Sequence, residues 1–114
     1  MDDVVEDVVL SVVLMLVEGE YKTLEAMTGG VMLSADHMAN AIDQYGHALV
    51  MPASTDLLAS AVYIEIAPPD PRRLAVDVPL WTADEGRSDL TAQMTLTEVS
   101  PGLWDIELND IRVL

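Results

Sequence analysis

The sequence predicts an α+β domain with three N-terminal helices packed on one face of a four-stranded antiparallel sheet. Three observations predict it. Apolar residues recur at three- and four-residue spacing up to Ser60, and at alternate positions from Val62 onward. The chain is also rich enough in Val, Leu and Met to fill one core. At 114 residues the length suits a single domain, residues 1–114, mainly helical over 1–60 and a sheet over 61–114. A hydrophobic fraction of 51% excludes wholesale disorder despite the charge. Phe and Cys are both absent, so the core is expected to be aliphatic and no disulfide or thiolate chemistry is available.

The first helix is predicted from Asp3 to Glu18. Polar Asp3, Asp7, Ser11 and Glu18 recur at helical spacing and leave an apolar face of Val5, Val8, Val9, Val12, Val13 and Leu16. Valine lowers helix propensity, but a strand requires strict alternation and the paired valines do not alternate. Acids in the first turn suit the helix dipole, and Gly19 supplies the stop. A second helix runs from Glu20 to about Thr28, with Tyr21, Leu24 and Met27 three apart, and ends at Gly29-Gly30. Ser34 caps a third, Ala35 to Tyr45, whose face is Met38, Ala41, Ile42 and Tyr45 and whose stop is Gly46. Thr55 to Ser60 reads as a helical turn.

The strands follow. Val62, Ile64 and Ile66 alternate with Tyr63 and Glu65, and Pro68-Pro69-Asp70-Pro71 breaks the run. Leu74, Val76, Val78 and Leu80 alternate with Ala75, Asp77, Pro79 and Trp81 before a turn at Asp84-Glu85-Gly86. Leu90, Ala92, Met94 and Leu96 alternate with Thr91, Gln93, Thr95 and Thr97 before Ser100-Pro101-Gly102. Trp104, Ile106 and Leu108 form the last apolar parity. Pro79 lacks a ladder donor, so its strand is expected to be at an edge or bulged there. Ile111 and Val113 take the opposite parity to Leu108, so a β-bulge is expected at Asn109-Asp110. The expected core includes Val9, Val12, Val13, Leu16, Leu24, Met38, Ile42, Ile64, Val76, Val78, Leu90, Met94, Ile106 and Leu108.

Twenty Asp and Glu stand against five Lys and Arg, a net charge of −15. Such a coat disfavours direct contact with nucleic acid phosphate and favours a basic protein partner. The apolar run Val8 to Val17 is about half of the ~20 residues that span a bilayer. Asp2, Asp3, Glu6 and Asp7 precede it, the wrong sign for a secretory leader, so a cytoplasmic protein away from membranes is expected.

No catalytic, metal or cofactor motif is present. His37 and His47 lack the two-histidine spacing of a zinc site and read as ordinary surface or cap residues. Asp77, Asp105 and Glu107 fall on the polar parity of their strands. Crowding there would raise a carboxyl pKa, but the inward positions carry no acid and the three read as a solvated face. Arg87, in the loop Glu85 to Asp89, is expected to pair with Asp84 or Asp89. The methionines, among them Met27, Met32, Met38 and Met51, are expected to replace aromatic volume in the core. Trp81 shares the polar parity, either as an exposed interface anchor or turned inward by a bulge near Pro79.

The segment Val76-Asp77-Val78-Pro79-Leu80-Trp81-Thr82-Ala83-Asp84-Glu85-Gly86-Arg87-Ser88-Asp89-Leu90-Thr91 resembles the core of a family of small uncharacterised bacterial proteins. Gly19-Glu20-Tyr21, Leu24-Glu25 and Thr28-Gly29-Gly30 resemble the same family. The resemblance implies no assigned activity. The order of helices followed by sheet is also similar to the cystatin-like, NTF2-like roll, which hosts both enzymes and binding proteins.

The expected function is a non-enzymatic acidic binding protein, immunity-protein or inhibitor-like, docking a basic, toxin-like protein. Glu65, Asp77, Asp105 and Glu107 would form the docking face with Trp81 as anchor, and the N-terminal acids are the next candidate. The alternative is a roll whose apolar pocket binds a small ligand or performs a modest acid–base step.

Overall fold

The valine-rich N-terminal segment is a helix, α1 (Asp3–Val17), and it buries Val5, Val9, Val12, Val13 and Leu16 along one stripe. That 4-3-1-3 spacing is the helical period, so burial of the stripe overrides the modest propensity cost of its valines. The computed structural model describes residues 3–30, 32–66 and 70–114. Asp2, Pro68 and Pro69, singled out above, lie outside them. After α1 come α2 (Tyr21–Thr28), α3 (Ala35–Tyr45), β1 (Leu49–Val50), α4 (Ser54–Ser60), β2 (Val62–Ile66), β3 (Arg73–Thr82), β4 (Gly86–Ser100) and β5 (Leu103–Val113).

The helices are capped as their sequences dictate. Gly29 and Gly46 end α2 and α3 in the left-handed region, at φ 75° and 80°, where a side chain would be strained. Ser34 Oγ accepts from the His37 amide at the start of α3. The Ala35 amide donates 2.7 Å to Glu25 Oε2, which fixes α3 against α2.

All strand pairings are antiparallel, and the order is β1-β3-β4-β5 with β2 also on β3. The α+β class with N-terminal helices holds, with four helices and five strands among the described residues rather than three and four. The difference lies at one edge. Leu49 and Val50 pair with Thr82 and Trp81, and Val62 to Ile66 pair with Asp77 to Arg73, so β1 and β2 lie end to end along the same side of β3. The segment read as a turn is α4, which fills the gap between them and buries Leu57 completely. Pro79 falls opposite this gap, where a missing amide costs no ladder bond on that side. The β3–β4 register also shifts between Pro79 and Trp81.

Leu74, Val76, Val78 and Leu80 meet Leu90, Ala92, Met94, Leu96, Trp104, Leu108 and Ile111 under the helices in an almost wholly aliphatic core. Each fully buried aliphatic side chain stabilises the fold by about 1.5–3 kcal/mol relative to exposure. Met38 and Met94 fill volume there, whereas Met27 and Met32 are exposed. Ile42 and Ile106, expected in the core, are partly buried at its margin.

Ile64, also expected in the core, is 56% exposed. The side-chain parity of β2 is the reverse of that expected. Tyr63 and Glu65 face Val76 and Leu74 on the helix side, while Val62, Ile64 and Ile66 face Asp77, Ala75 and Arg73 on the outer side. Both parities of this strand carry apolar side chains, so alternation alone does not choose a face. The larger Tyr63 ring takes the core side, and Glu65 reaches the rim to pair with Arg72 at 2.8 Å.

Candidate functional site

The helices cover one face of the sheet and leave the other bare except near α4. Three rows cross the bare face. Val62, Asp77, Gln93 and Asp110 form the first; Ile64, Ala75, Thr95 and Glu107 the second; Ile66, Arg73, Thr97 and Asp105 the third. Adjacent strands lie about 4.8 Å apart, so each row runs roughly 14 Å from an apolar edge on β2 to an acidic edge on β5. Val62 and Ile64 are more than half exposed, and Asp105 and Glu107 are exposed.

Polar cross-strand contacts order this face. Gln93 Nε2 donates to Asp77 Oδ1 at 3.3 Å, and Thr95 Oγ1 donates to Asn109 Oδ1 at 2.8 Å. Asn109 Nδ2 reaches Glu107 Oε2 at 3.5 Å. Asp110 Oδ1 accepts from the Ile111 amide at 2.9 Å. Arg73, Arg87 and Arg112 stand on the same side of the sheet, so the face is mixed in charge and its acids concentrate along β5. The helical part carries more net charge. Asp3, Glu6, Asp7, Glu18, Glu20, Glu25, Asp36, Asp43 and Asp56 there stand against Lys22 alone.

Of the five residues expected to share a docking face, the structure brings together Asp77, Asp105 and Glu107. Trp81 is on the same side, at the far end across from Arg87, half-buried in a depression it shares with Asp56, Ala59, Ser60 and Arg87. Glu65 does not join them, because the reversed parity of β2 puts it on the helix side. Asp110, Val62 and Ile64 are the members that sequence reasoning missed. The bulge expected at Asn109-Asp110 already implied an outward Asp110, whereas β2 offered no signal for its face.

A second polar group lies at the other end of the sheet, where the loop after α3 meets the β3–β4 turn. His47 Nδ1 sits 2.8 Å from Asp84 Oδ2 and 3.0 Å from Oδ1. Tyr45 donates to Glu85 Oε1 at 2.9 Å, and Thr82 Oγ1 donates to the same oxygen at 3.0 Å while accepting from the Glu85 amide. The hydrogen bond with His47 holds the Asp84 carboxyl below the ordinary aspartate range. Partial burial, then the bond to Glu85, raises the Tyr45 phenol. Asp84 therefore engages His47, and among the described residues Arg87 forms an ion pair with neither Asp84 nor Asp89, the two partners expected from sequence. Ligand atoms of His47, Asp84 and Glu85 all lie within 4.8 Å of one another. Nothing in the local sequence links position 47 to position 84; only β1 pairing with β3 does.

A family model described as a domain of unknown function (DUF7668) matches residues 13–114. No curated protein and no solved structure matches the chain. Among the described residues, no helix is long and apolar enough to cross a membrane.

Proposed function

The chain belongs to the DUF7668 family, a domain of unknown function, and from the geometry of its sheet we propose that it is a non-enzymatic acidic binding protein that docks a basic protein partner, in the manner of an immunity protein or inhibitor. One observation carries this reading. The bare sheet face joins exposed Val62 and Ile64 to Asp77, Asp105, Glu107 and Asp110 within three cross-strand rows. Exposed apolar side chains on the same face as charged ones are the composition of a protein interface. The net charge of −15 attracts a basic partner at long range, and the sheet face supplies the contact. Trp81 and Arg87, at the end of the face, are residue types that anchor interfaces.

The pocket alternative, suggested by the likeness to the cystatin-like and NTF2-like roll, has less to draw on. The helix-facing positions of β3 between Leu74 and Leu80 are all aliphatic and buried, and give no acid or base to a ligand held between the layers.

The test compares capture of proteins from the native host on immobilised wild type, on Asp105→Lys/Glu107→Lys and on Ile64→Ser. The proposal expects a basic protein retained by wild type and lost from both variants. Retention of the same proteins by all three chains removes this face from consideration. The acids of α1, Asp3, Glu6 and Asp7, would then be the next surface to reverse.

A further inference from the structure

We propose that His47, Asp84 and Glu85 bind one divalent transition-metal ion of the zinc class, cross-linking the loop after α3 to the β3–β4 turn. This site is separate from the bare sheet face and stands or falls independently of it. Its ligand types are complementary to such an ion. One imidazole nitrogen and two carboxylates form a mixed N/O set that suits zinc, cobalt or nickel, whereas calcium requires six to eight oxygens and magnesium a near-octahedral oxygen shell. Water would complete the coordination.

The geometry is close to what coordination needs. The candidate ligand atoms lie within 4.8 Å of one another, and donors on a tetrahedral zinc ion are roughly 3.4 Å apart at bond lengths of about 2.1 Å. Rotation of partly or fully exposed side chains closes that difference without moving the backbone. His47 already directs Nδ1 at Asp84, with both carboxylate oxygens at 3.0 Å or less. An ion would take the place of the proton that now lies between them. Among the described residues no lysine or arginine pairs with either carboxylate.

The surroundings orient the ligands. Tyr45 and Thr82 both donate to Glu85, and Thr82 is itself buried on β3. Outer donors of this kind fix a metal-binding carboxylate and sharpen its affinity. The Tyr45 ring lies 5.1 Å from the His47 ring, centroid to centroid, and limits the orientations of the imidazole. A surface ion pair between His47 and Asp84 requires neither the convergence of Glu85 nor its two donors.

The test uses tag-free protein stripped of metal with a chelator and titrated with Zn²⁺ by calorimetry and with Co²⁺ by absorption and NMR. The expected result is saturation at one ion per chain, unaffected by excess Mg²⁺. His47→Gln should weaken Zn²⁺ binding by at least about tenfold while circular dichroism shows the same fold. Co²⁺ should broaden or shift the His47 ring signals and leave those of His37, on the first turn of α3, untouched. Failure to saturate at one ion per chain would overturn the proposal. So would His47→Gln binding as tightly as wild type, the behaviour of ions collecting on an anionic surface.

Discussion

Thr95 donates a 2.8 Å hydrogen bond to Asn109, the one residue of β5 with no counterpart on β4. Leu108 pairs with Met94 and Asp110 pairs with Gln93, so Asn109 is the extra residue of a bulge. It lets Leu108 and Ile111 both point into the core, although they stand three positions apart and strict alternation would put them on opposite faces. Val113, two residues on, stays exposed at the end of the strand.

Deleting Asn109 should therefore be tolerated. The register on both sides is already regular, and deletion leaves Leu108, Asp110 and Ile111 on their present faces. The expected loss is the two side-chain hydrogen bonds of Asn109, from Thr95 and to Glu107, about 1–2 kcal/mol together. Inserting an Ala after Asn109 should cost more, because the bulge must then hold a second extra residue or Ile111 and Arg112 must leave their pairing with Ala92 and Thr91. Denaturant unfolding of the two variants checks the order of these effects.

Tyr63 offers a test of the reversed β2 parity. Its hydroxyl is buried and has no hydrogen-bond partner among the described residues, and burial, with Glu6 nearby, raises its phenol above the ordinary value. Tyr63→Phe should leave unfolding free energy unchanged or raise it by up to about 1–2 kcal/mol. A phenol whose folded value is raised contributes stability below the unfolded value and loses it as pH climbs through the folded one. Wild type should thus lose ground against Tyr63→Phe in alkaline melts. A clear destabilisation of Tyr63→Phe at neutral pH would mean that the hydroxyl makes a hydrogen bond in the folded state.

The Asp84 carboxyl has the opposite sign. Its folded value is depressed by the bond with His47, so its contribution is present above the ordinary aspartate range and disappears as pH falls through the folded value. Melting in about 1 M NaCl, where the Debye length is about 3 Å, removes the general repulsion from the comparison. Wild type should then melt above Asp84→Asn near neutrality, and the two should converge in acid. A gap that persists below the carboxylate range would assign the effect to packing.

Self-repulsion is the broader electrostatic consequence of a charge of −15. Screening over a Debye length of ~10 Å at 0.1 M weakens repulsion among exposed acids. The melting midpoint should rise from low to moderate NaCl. A flat or falling midpoint would show that the acids are too dispersed to repel.

The fold was largely legible because most segments carried one unambiguous period. The paired valines of α1 fit only a helix, and the alternation from Leu74 to Leu80 fits only a half-covered strand. Even the bulge at Asn109 was forced by the change of parity between Leu108 and Ile111. Legibility failed where one segment allowed two answers. Val62, Tyr63, Ile64 and Ile66 are apolar on both parities, so alternation puts Ile64 in the core and Glu65 on the outer face, the reverse of their pairing with Ala75 and Leu74. The two residues of β1 were too few to show a period. Asp77, Asp105 and Glu107 could be grouped from alternation, whereas His47 and Asp84 meet only through the tertiary pairing of β1 with β3.

Whether the bare sheet face is the contact surface for a basic protein is read from association rates across a salt series. The captured partner is measured against wild type, Asp105→Lys/Glu107→Lys and Glu18→Lys/Glu20→Lys. The two double variants change net charge equally, but only the first alters the sheet face. Both should lose long-range attraction, and association should slow with salt for wild type. The sheet variant should associate at least about tenfold more slowly than the helix variant, and the difference should persist at high salt as weaker binding. Equal rates for the two variants, or a larger loss from the helix variant, would place the contact surface away from the sheet face.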